Sequence, residues 1–390
     1  MREEVAREGL ARFYIPVSHE YMRSDGKIEP SWMPVFYNPY SQVNRDLTVL
    51  ALRAHMKLGG RIRTFVEPLA GSCVRSIRVL LESLNDYGIA YASDISQAAV
   101  ELCKRNIELN DLNTRIFVEK SDARLFLLKL DSNGVPVDSI DIDPYGSPIY
   151  YLDAAIKSVG KEAIVSVTAT DLGALTGRYK DVGLRRYSAY IYPSEFSKEI
   201  GARVLMGAFV KVSSYLERSA EPLMTFYHEH FLKAIFKIKR DRRGASNVIN
   251  DLGFMCLDKD GNFKAAYRIG EPPELGCFKM VGPLWLGELW DESFIDAMMS
   301  EGKQLSFLSG EALKSLEVIY SEMKVKALGY YDIHHICSRL KLNVPSFSTL
   351  IKRLNELGYK ASRTHFDRRG IRTNAPIELL EKIIKSLSQN

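Results

Sequence analysis

Asp143-Pro144-Tyr145-Gly146-Ser147-Pro148 follows a short apolar run over 137–142 and combines residue types suited to one kind of chemistry. A carboxylate beside a backbone carbonyl can accept the N–H bonds of a planar exocyclic amine. Accepting them draws a nitrogen whose lone pair is delocalised into a ring towards pyramidal geometry. Proline stiffens such a turn and removes a competing N–H donor. An aromatic side chain holds the ring plane by stacking. Asp141 alternates with Asp143 on the same run, and Asp143 is the better candidate because it adjoins the Pro-aromatic turn. Two more acids, Asp94 and Asp122, also follow short apolar runs, and Gly71 lies in the loop Glu67-Pro-Leu-Ala-Gly-Ser-Cys-Val-Arg75. An acid at the first position can hold two ribose hydroxyls, and one at the second can accept from an adenine amino group. Glycine lets the backbone approach such a ligand closely. The later positions of a Gly-x-Gly-x-x-Gly pattern hold Cys73 and Ser76, which counts against a dinucleotide pyrophosphate site and an NAD-dependent oxidoreductase.

These residues need elements to position them. Apolar spacing at Val43, Leu47, Leu50, Ala51 and Ala54 predicts a helix over 42–56. Strands are predicted over 64–68, 89–93, 115–119, 137–142 and 164–168. Helices are predicted over 74–84, 97–109, 125–129, 150–159 and 194–216. Repeated strand–helix units imply an α/β, Rossmann-like, doubly wound sheet. The two strands over 222–227 and 231–239 are too close for a crossover, so one antiparallel strand is expected near the edge. In such a sheet ligands bind outside the carboxyl ends of the strands, which is where the acids fall. Residues 1–40 read as an irregular arm, and 245–310 as short segments rich in Gly, Pro and aromatics. Helices over 311–328, 332–340 and 346–357, then an alternating stretch over 359–373, follow the order of a winged-helix module. The expected division is 1–242, a Rossmann-like domain with its arm, and 243–390, an α+β domain with a winged-helix-like part at about 311–376.

The chain has 390 residues, 46% hydrophobic and 26% charged, which excludes a disordered chain or a collagen-like fibre. Five cysteines without a C-x-x-C pair fit a reducing interior. The charged start, Met-Arg-Glu-Glu, leads to no apolar run, so neither a signal peptide nor a membrane span is expected. The net charge of +5 is unevenly placed. From Lys324 to Asn390, thirteen Lys and Arg face five Asp and Glu, a local +8, leaving about −3 for the rest. Such a basic segment suits a polyanion, most simply nucleic acid.

The Asp143 turn resembles the Asp/Asn-Pro-Pro-Tyr motif of methyltransferases that alkylate planar amino groups. The chain as a whole resembles the archaeal and eukaryotic tRNA (guanine-26 N2)-dimethyltransferase family. Glu8-Gly9, then Val-Phe-Tyr-Asn38-Pro39 and Asn44-Arg45-Asp46-Leu47, match its amino-terminal signature. Asp143 to Pro148 is similar to its Asp-Pro-Phe-Gly-Ser-Pro motif, with Tyr for Phe. Thr168-Ala-Thr-Asp171 with Leu175-Thr-Gly177, Gly282-Pro-Leu-Trp285-Leu-Gly287, and Thr364-His-Phe366 with Gly370 to Pro376 follow in the family's order.

The resemblance implies methyl transfer from S-adenosylmethionine to N2 of guanosine 26 in tRNA, giving mono- and then dimethylguanosine in the cytoplasm. It gives Arg45 and Arg75 the methionine end of the cofactor, with Gly71 close by. It gives Asp94 the ribose, and Asp122 with Ala123 the adenine. Asp143 would meet the amino group after Pro144, and Tyr145 would stack on a base flipped out of the RNA. Two departures stand out. Cys73 occupies a position usually held by glycine and must accept a glycine-like backbone. The paired cysteines of zinc-knuckle spacing are missing, so no metal is expected, and Cys256 and Cys277 are either buried thiols or a disulfide. Lys352 and Arg353 on the recognition helix, and Arg363, Arg368, Arg369 and Arg372 on the wing, are the RNA-binding candidates. The period-2 run Lys233, Lys237, Lys239, read as an edge strand, would extend that surface. Two rival readings remain: an amino-group methyltransferase acting on DNA adenine or protein glutamine, and a winged-helix regulator with a nucleotide-sensing domain.

Overall fold

The structure, a computed structural model, describes residues 2–259, 261–273 and 277–388. The amino-terminal arm is more ordered than its composition suggests. Strands β1 (Glu3–Glu8) and β2 (Ala11–Pro16) form an antiparallel hairpin across Gly9-Leu10. Its signal lies in β2, where Ala11, Phe13 and Ile15 face the core; the charged β1 hides it. The arm then leads into helix α1 (Gln42–Lys57).

Strand–helix units follow as the spacing predicts: β3 (Thr64–Glu67), α2 (Val74–Glu82), β4 (Ile89–Asp94), α3 (Gln97–Leu109) and β5 (Ile116–Lys120). Next come α4 (Ala123–Ser132), β6 (Val137–Ile142), α5 (Leu152–Ser158) and β7 (Val159–Ala169). Two short helices that the sequence did not signal, α6 (Leu172–Leu175) and α7 (Lys180–Tyr187), precede the long α8 (Ser197–Tyr215). Strands β8 (Ser219–His228) and β9 (Phe231–Lys239) close the sheet. Its order is β5-β4-β3-β6-β7-β9-β8. The first five strands pair in parallel, while β9 runs antiparallel to both β7 and β8. The antiparallel strand is therefore one in from the edge. From β3, strand order runs one way to β4 and the other way to β6. That reversal opens a crevice at the carboxyl ends of β3 and β6.

Apolar residues surround much of α8, which is why it is buried on several sides. Its Gly207 lies so near the next sheet that a Cβ there would meet the Leu284 backbone at 3.1 Å. After α9 (Arg242–Val248), that sheet is built from β10 (Leu252–Leu257), β11 (Phe263–Arg268) and β12 (Lys279–Trp285), in the order β11-β10-β12. A disulfide joins Cys256 to Cys277, choosing between the two states the sequence left open. Helices α10 (Glu292–Gly302) and α11 (Gly310–Glu322) complete the packing against α1.

The last segment runs β13 (Tyr331–Asp332), α12 (Ile333–Leu340), α13 (Phe347–Glu356), β14 (Ala361–Arg363), β15 (Gly370–Thr373) and α14 (Ile377–Leu387). It has its own apolar cluster around Ile336, Leu350, Ile371 and Leu380. The main core extends continuously from Ala11 to Phe366 and so crosses from the large sheet into the carboxyl-terminal half. Among the described residues, no helix is long and apolar enough to cross a membrane.

Candidate functional site

Residues at the carboxyl ends of β3, β4 and β5 form one rim of the crevice. Gly71 has φ +52°, and a Cβ on it would meet the Phe36 carbonyl oxygen at 2.9 Å. Only glycine fits there. Its N–H donates to Oδ2 of Asp94 (2.9 Å), whose Oδ1 accepts from the Ser96 N–H (2.9 Å). The acid at the end of β4 is thus fixed to the loop after β3. Cys73 has φ 64°, the left-handed conformation expected of a residue in a glycine position. Burial also pushes its thiol well above the ordinary range. Asp122 caps α4: Oδ1 accepts from the N–H groups of Arg124 (2.9 Å) and Leu125 (3.2 Å), and the buried Ala123 follows it. Beside Asp94, Ile95 is 71% exposed, an apolar side chain open at the rim.

Glu67, which the sequence reading did not single out, ends β3. It accepts from the Ser76 N–H (3.0 Å) and hydroxyl (2.6 Å) at the start of α2. Burial outweighs the nearby Arg75 cation and pushes its carboxyl up to about 7.

The end of β6 forms the other rim. Asp143 accepts a hydrogen bond from Nη2 of Arg75. Arg75 is itself held by Asn44 Oδ1 (2.8 Å), Thr48 Oγ (2.9 Å) and Asp141 Oδ2 (3.2 Å), with Glu67 Oε1 at 3.5 Å. Asp141 points to the interior. Thr48 (2.6 Å) and the Lys233 ammonium (3.0 Å) donate to it. Burial works against its charge, but Arg75 and Lys233 overcome that and hold Asp141 below the usual carboxylate range. Burial likewise draws Lys233 down to about 8. The strand alternation therefore separates two tasks: Asp141 neutralises buried cations, and Asp143 reaches the crevice.

The turn after Asp143 is tied to the end of β7. Gly146, at φ +111°, donates its N–H to Thr170 Oγ (2.7 Å) and accepts from the Thr170 N–H (2.8 Å). Ser147 shares a hydrogen bond with the Tyr187 hydroxyl (2.7 Å), which donates to Asp171 (2.8 Å); Arg186 holds the other Asp171 oxygen (2.9 Å). A cleft of about 690 Å³ opens here between Asp143, Pro144, Tyr145, Thr170, Asp171 and His230 on one side, and Phe36, Asn38 and Ser41 of the arm on the other. Tyr145 is 79% exposed at its mouth, with the Phe36 ring edge-on at 6.3 Å. A cleft flanked by two aromatic rings, with a carboxylate behind them, suits a flat heterocycle carrying an amino group. Phe36 adjoins the Asn38-Pro39 signature but was missed as a site residue. His230, in the turn between β8 and β9, carries no spacing signal at all.

Arg45 and Arg75 have protein carboxylates as partners. Arg45 makes a two-pronged pair with the buried Glu8 (2.7 and 2.6 Å) and donates to the Asn38 carbonyl (3.1 Å), so it binds the arm to α1 under the cleft. Among the described residues, no group of His, Cys, Asp and Glu is placed to hold a metal ion.

The RNA candidates separate. Lys352 and Arg353 are exposed on α13, with Arg353 paired to Glu356 (3.1 Å). Arg363 lies half-buried over the Phe347 ring (3.8 Å) and donates to the Arg368 carbonyl. Arg368 and Arg369 are exposed, and Arg369 pairs with Asp332 (3.1 Å) and Asp367 (3.4 Å). Arg372 departs from the expectation. It is 1% exposed on β15, the middle strand of its sheet, and pairs with Glu199 (2.7 Å) and Glu322 (2.9 Å). A guanidinium enclosed in this way cannot meet a phosphate. The lysine run is corrected too. β9 is an interior strand, Lys233 is 1% exposed in the Asp141 network, and Lys237 and Lys239 pair with Glu162 (3.3 Å) and Glu221 (3.2 Å).

Comparison with known proteins gives a consistent result. A family model described as N2,N2-dimethylguanosine tRNA methyltransferase matches residues 19–385. The tRNA (guanine(26)-N(2))-dimethyltransferase of Methanobrevibacter smithii is 34% identical, covering 99% of this chain and 98% of that protein. The tRNA (guanine(26)-N(2)/guanine(27)-N(2))-dimethyltransferase of Aquifex aeolicus is 32% identical, covering 98% and 96%. The solved structure of Trm1 from Pyrococcus horikoshii with S-adenosyl-L-methionine superposes with a TM-score of 0.84 at 31% identity, covering 98% of this chain and 99% of that one.

Proposed function

The chain belongs to the N2,N2-dimethylguanosine tRNA methyltransferase family, and from that premise we propose how its residues divide the work. It transfers methyl groups from S-adenosylmethionine to N2 of guanosine 26 in tRNA. The observation that carries the site assignment is Asp143, held by Arg75 at the end of β6 and facing a cleft flanked by Tyr145 and Phe36. Membership displaces the rival DNA, protein-glutamine and regulatory readings. Incubation with labelled S-adenosylmethionine and unmodified tRNA, followed by digestion, tests the reaction. Label in N2-methyl- and N2,N2-dimethylguanosine at position 26 is expected; label on another atom or base overturns the assignment. The same digest reports whether position 27 is also modified, as the Aquifex relative's name states for that enzyme.

The rim residues fit the cofactor. Gly71 leaves no room for a side chain, Asp94 presents a carboxylate at the end of β4, and Ile95 is open beside it. Asp94 suits the ribose hydroxyls. Asp122 suits the adenine amino group, because both cap bonds fall on its Oδ1. When bound, S-adenosylmethionine supplies an electrophilic methyl on a sulfonium. Asp94→Ala is expected to weaken its binding on the order of tenfold to a hundredfold, the worth of charge-assisted hydrogen bonds. Calorimetric titration checks this, and an unchanged Kd excludes the role.

The chain's own groups then act on the guanine. Tyr145 stacks on one face of the base once it is flipped out, with the Phe36 ring beside it. Asp143 accepts an N–H bond of the exocyclic amine, turns the nitrogen's lone pair towards the rim, and takes a proton as charge develops. Positioning supplies most of the acceleration. The exposed members of the basic carboxyl-terminal segment, a winged-helix-like module in our reading, hold the tRNA backbone, and the catalytic half holds the base and cofactor. With tRNA as its substrate, its proposed place of action is the cytoplasm.

Deleting residues 324–390 is a poor test of this division, because it would strip Arg372 from Glu199 and Glu322. Substituting Lys352, Arg353, Arg368 and Arg369 by Gln tests it at the surface. Each lost phosphate contact should flatten the plot of log affinity against log salt by roughly 0.7–0.9. An unchanged slope in a filter-binding titration removes the module from the interface.

A further inference from the structure

His230 touches no group with which the assigned chemistry is made, yet its surroundings fix its protonation state. The Oδ1 of Asn38 accepts the Tyr40 N–H (3.0 Å). This sets the orientation of the amide, and Nδ2 then lies 3.1 Å from Nε2 of His230. An amide NH2 only donates, so Nε2 must accept, and the imidazole proton must sit on Nδ1. Ser41 Oγ, 3.4 Å from the same nitrogen, can donate to it as well. A protonated His230 would place N–H against the Asn38 N–H and break that contact, leaving only the more distant Ser41 hydroxyl to accept from it. The contact joins two parts of the chain: His230 belongs to the β8–β9 turn, while Asn38 belongs to the arm segment that carries Phe36 over the cleft.

We propose that His230 is a positioning residue for this reaction: its neutral imidazole latches the arm across the substrate cleft, and protonation releases the latch. The inference rests on the proposed function only for what the latch does to the substrate, not for the latch itself. The charged and titratable groups around His230 come from several elements. His228 and Glu229 adjoin it in the chain, Asp143 faces it from the end of β6, Asp171 and Arg45 line the same cleft from the end of β7 and from α1, and Arg23, Lys27 and Glu29 line it from the arm. Glu311 on α11 engages His228 (3.4 Å). Burial, then His228, lower the His230 pKa against the opposing pull of Glu229 and Asp143. The sign follows. A histidine lowered in the closed state holds the latch fully above its ordinary value of about 6.5, and the latch is lost as pH falls below that and through the lowered value.

The test is hydrogen exchange of the backbone amides of residues 36–41 in the full chain without substrate, corrected for intrinsic rates, at pH 7.5 and 5.5. In the wild type, protection should fall about tenfold at the lower pH, as expected for one titrating contact. His230→Gln keeps an acceptor for the Asn38 amide but cannot be protonated in this range, so its protection should not change with pH. His230→Phe, with no acceptor, should be unprotected at both. Between pH 7.5 and 5.5 the kcat/KM of the Gln variant for tRNA should fall less than that of the wild type. Glu67, which titrates near neutrality, is common to both proteins and cancels in that comparison. If the Gln variant titrates like the wild type, or the Phe variant stays protected at pH 7.5, the latch is wrong whatever the reaction. If exchange behaves as stated but kcat/KM does not follow, the latch stands and its link to the substrate fails.

Discussion

Asp143→Asn should lower kcat for tRNA methylation by roughly 10²–10⁴, the range ascribed to one positioned acid or base, with cofactor affinity little changed. Asn is nearly isosteric, so the turn through Pro144 and Tyr145 survives. Its amide has one acceptor oxygen, and the guanidinium of Arg75, itself held by Asn44, Thr48 and Asp141, competes for it. With that oxygen on Arg75, an NH2 group is left facing the cleft. It then opposes the substrate amine donor to donor, where the carboxylate had accepted. The lost charge also leaves Arg75 and Lys233 balanced chiefly by Asp141 and by Glu67, whose carboxyl burial pushes up to about 7. Single-turnover methylation of transcript tRNA measures the effect, and calorimetry with the cofactor separates it from binding. Near wild-type turnover would remove Asp143 from the chemistry.

The same residue shows what a sequence can disclose. Short apolar runs followed by acids, separated by helical stretches, suffice to place Asp94, Asp122 and Asp143 at one end of a parallel sheet, because chain direction and topology dictate where strand ends lie. The glycine-like backbone at Cys73 was likewise legible, since the loop geometry is set by the turn and not by the residue that occupies it. What escaped was set by contacts between distant segments. No spacing announces the protein partners of Arg75, which come from α1, β3 and β6. Lys233 alternates as a solvent-facing lysine would, and only the position of β9 between β7 and β8 turns it into a buried counter-ion. His230 sits in a tight turn of ordinary composition, and its meaning depends on an arm residue 192 positions away. Local periodicity reports which face of a strand is inward when one side meets water. It is silent when both faces are covered.

Arg372 shows this most sharply, and its loss is the second large effect expected. Arg372→Met should destabilise the protein by ~3–5 kcal/mol, the cost of breaking a buried ion pair by removing one partner. Its guanidinium holds Glu199 of α8 and Glu322 of α11, and donates to the carbonyls of Ala327 (2.7 Å) and Gly329 (3.2 Å). Without it, Glu199 keeps Arg203 (2.8 Å) and Glu322 keeps His365 (2.7 Å), so the carboxylates are undercompensated but not isolated. A substitution on the exposed Lys352, by contrast, should change stability by no more than about 0.5 kcal/mol. The acid response gives an independent signature. Burial raises the Glu322 pKa, but Arg372 and His365 overcome that and hold it at about 2. A carboxylate lowered in the folded state contributes its full stability above its unfolded value of about 4.3, and loses it as pH falls through the folded value. Removing Arg372 raises that folded value, so acid unfolding of the variant should begin at a higher pH than in the wild type. Denaturant unfolding at pH 7 and an acid titration followed by circular dichroism measure the two effects. A loss below about 1 kcal/mol, or an unmoved acid midpoint, would mean that the sheet holding β15 is joined to α8 by its apolar contacts and not by this cation.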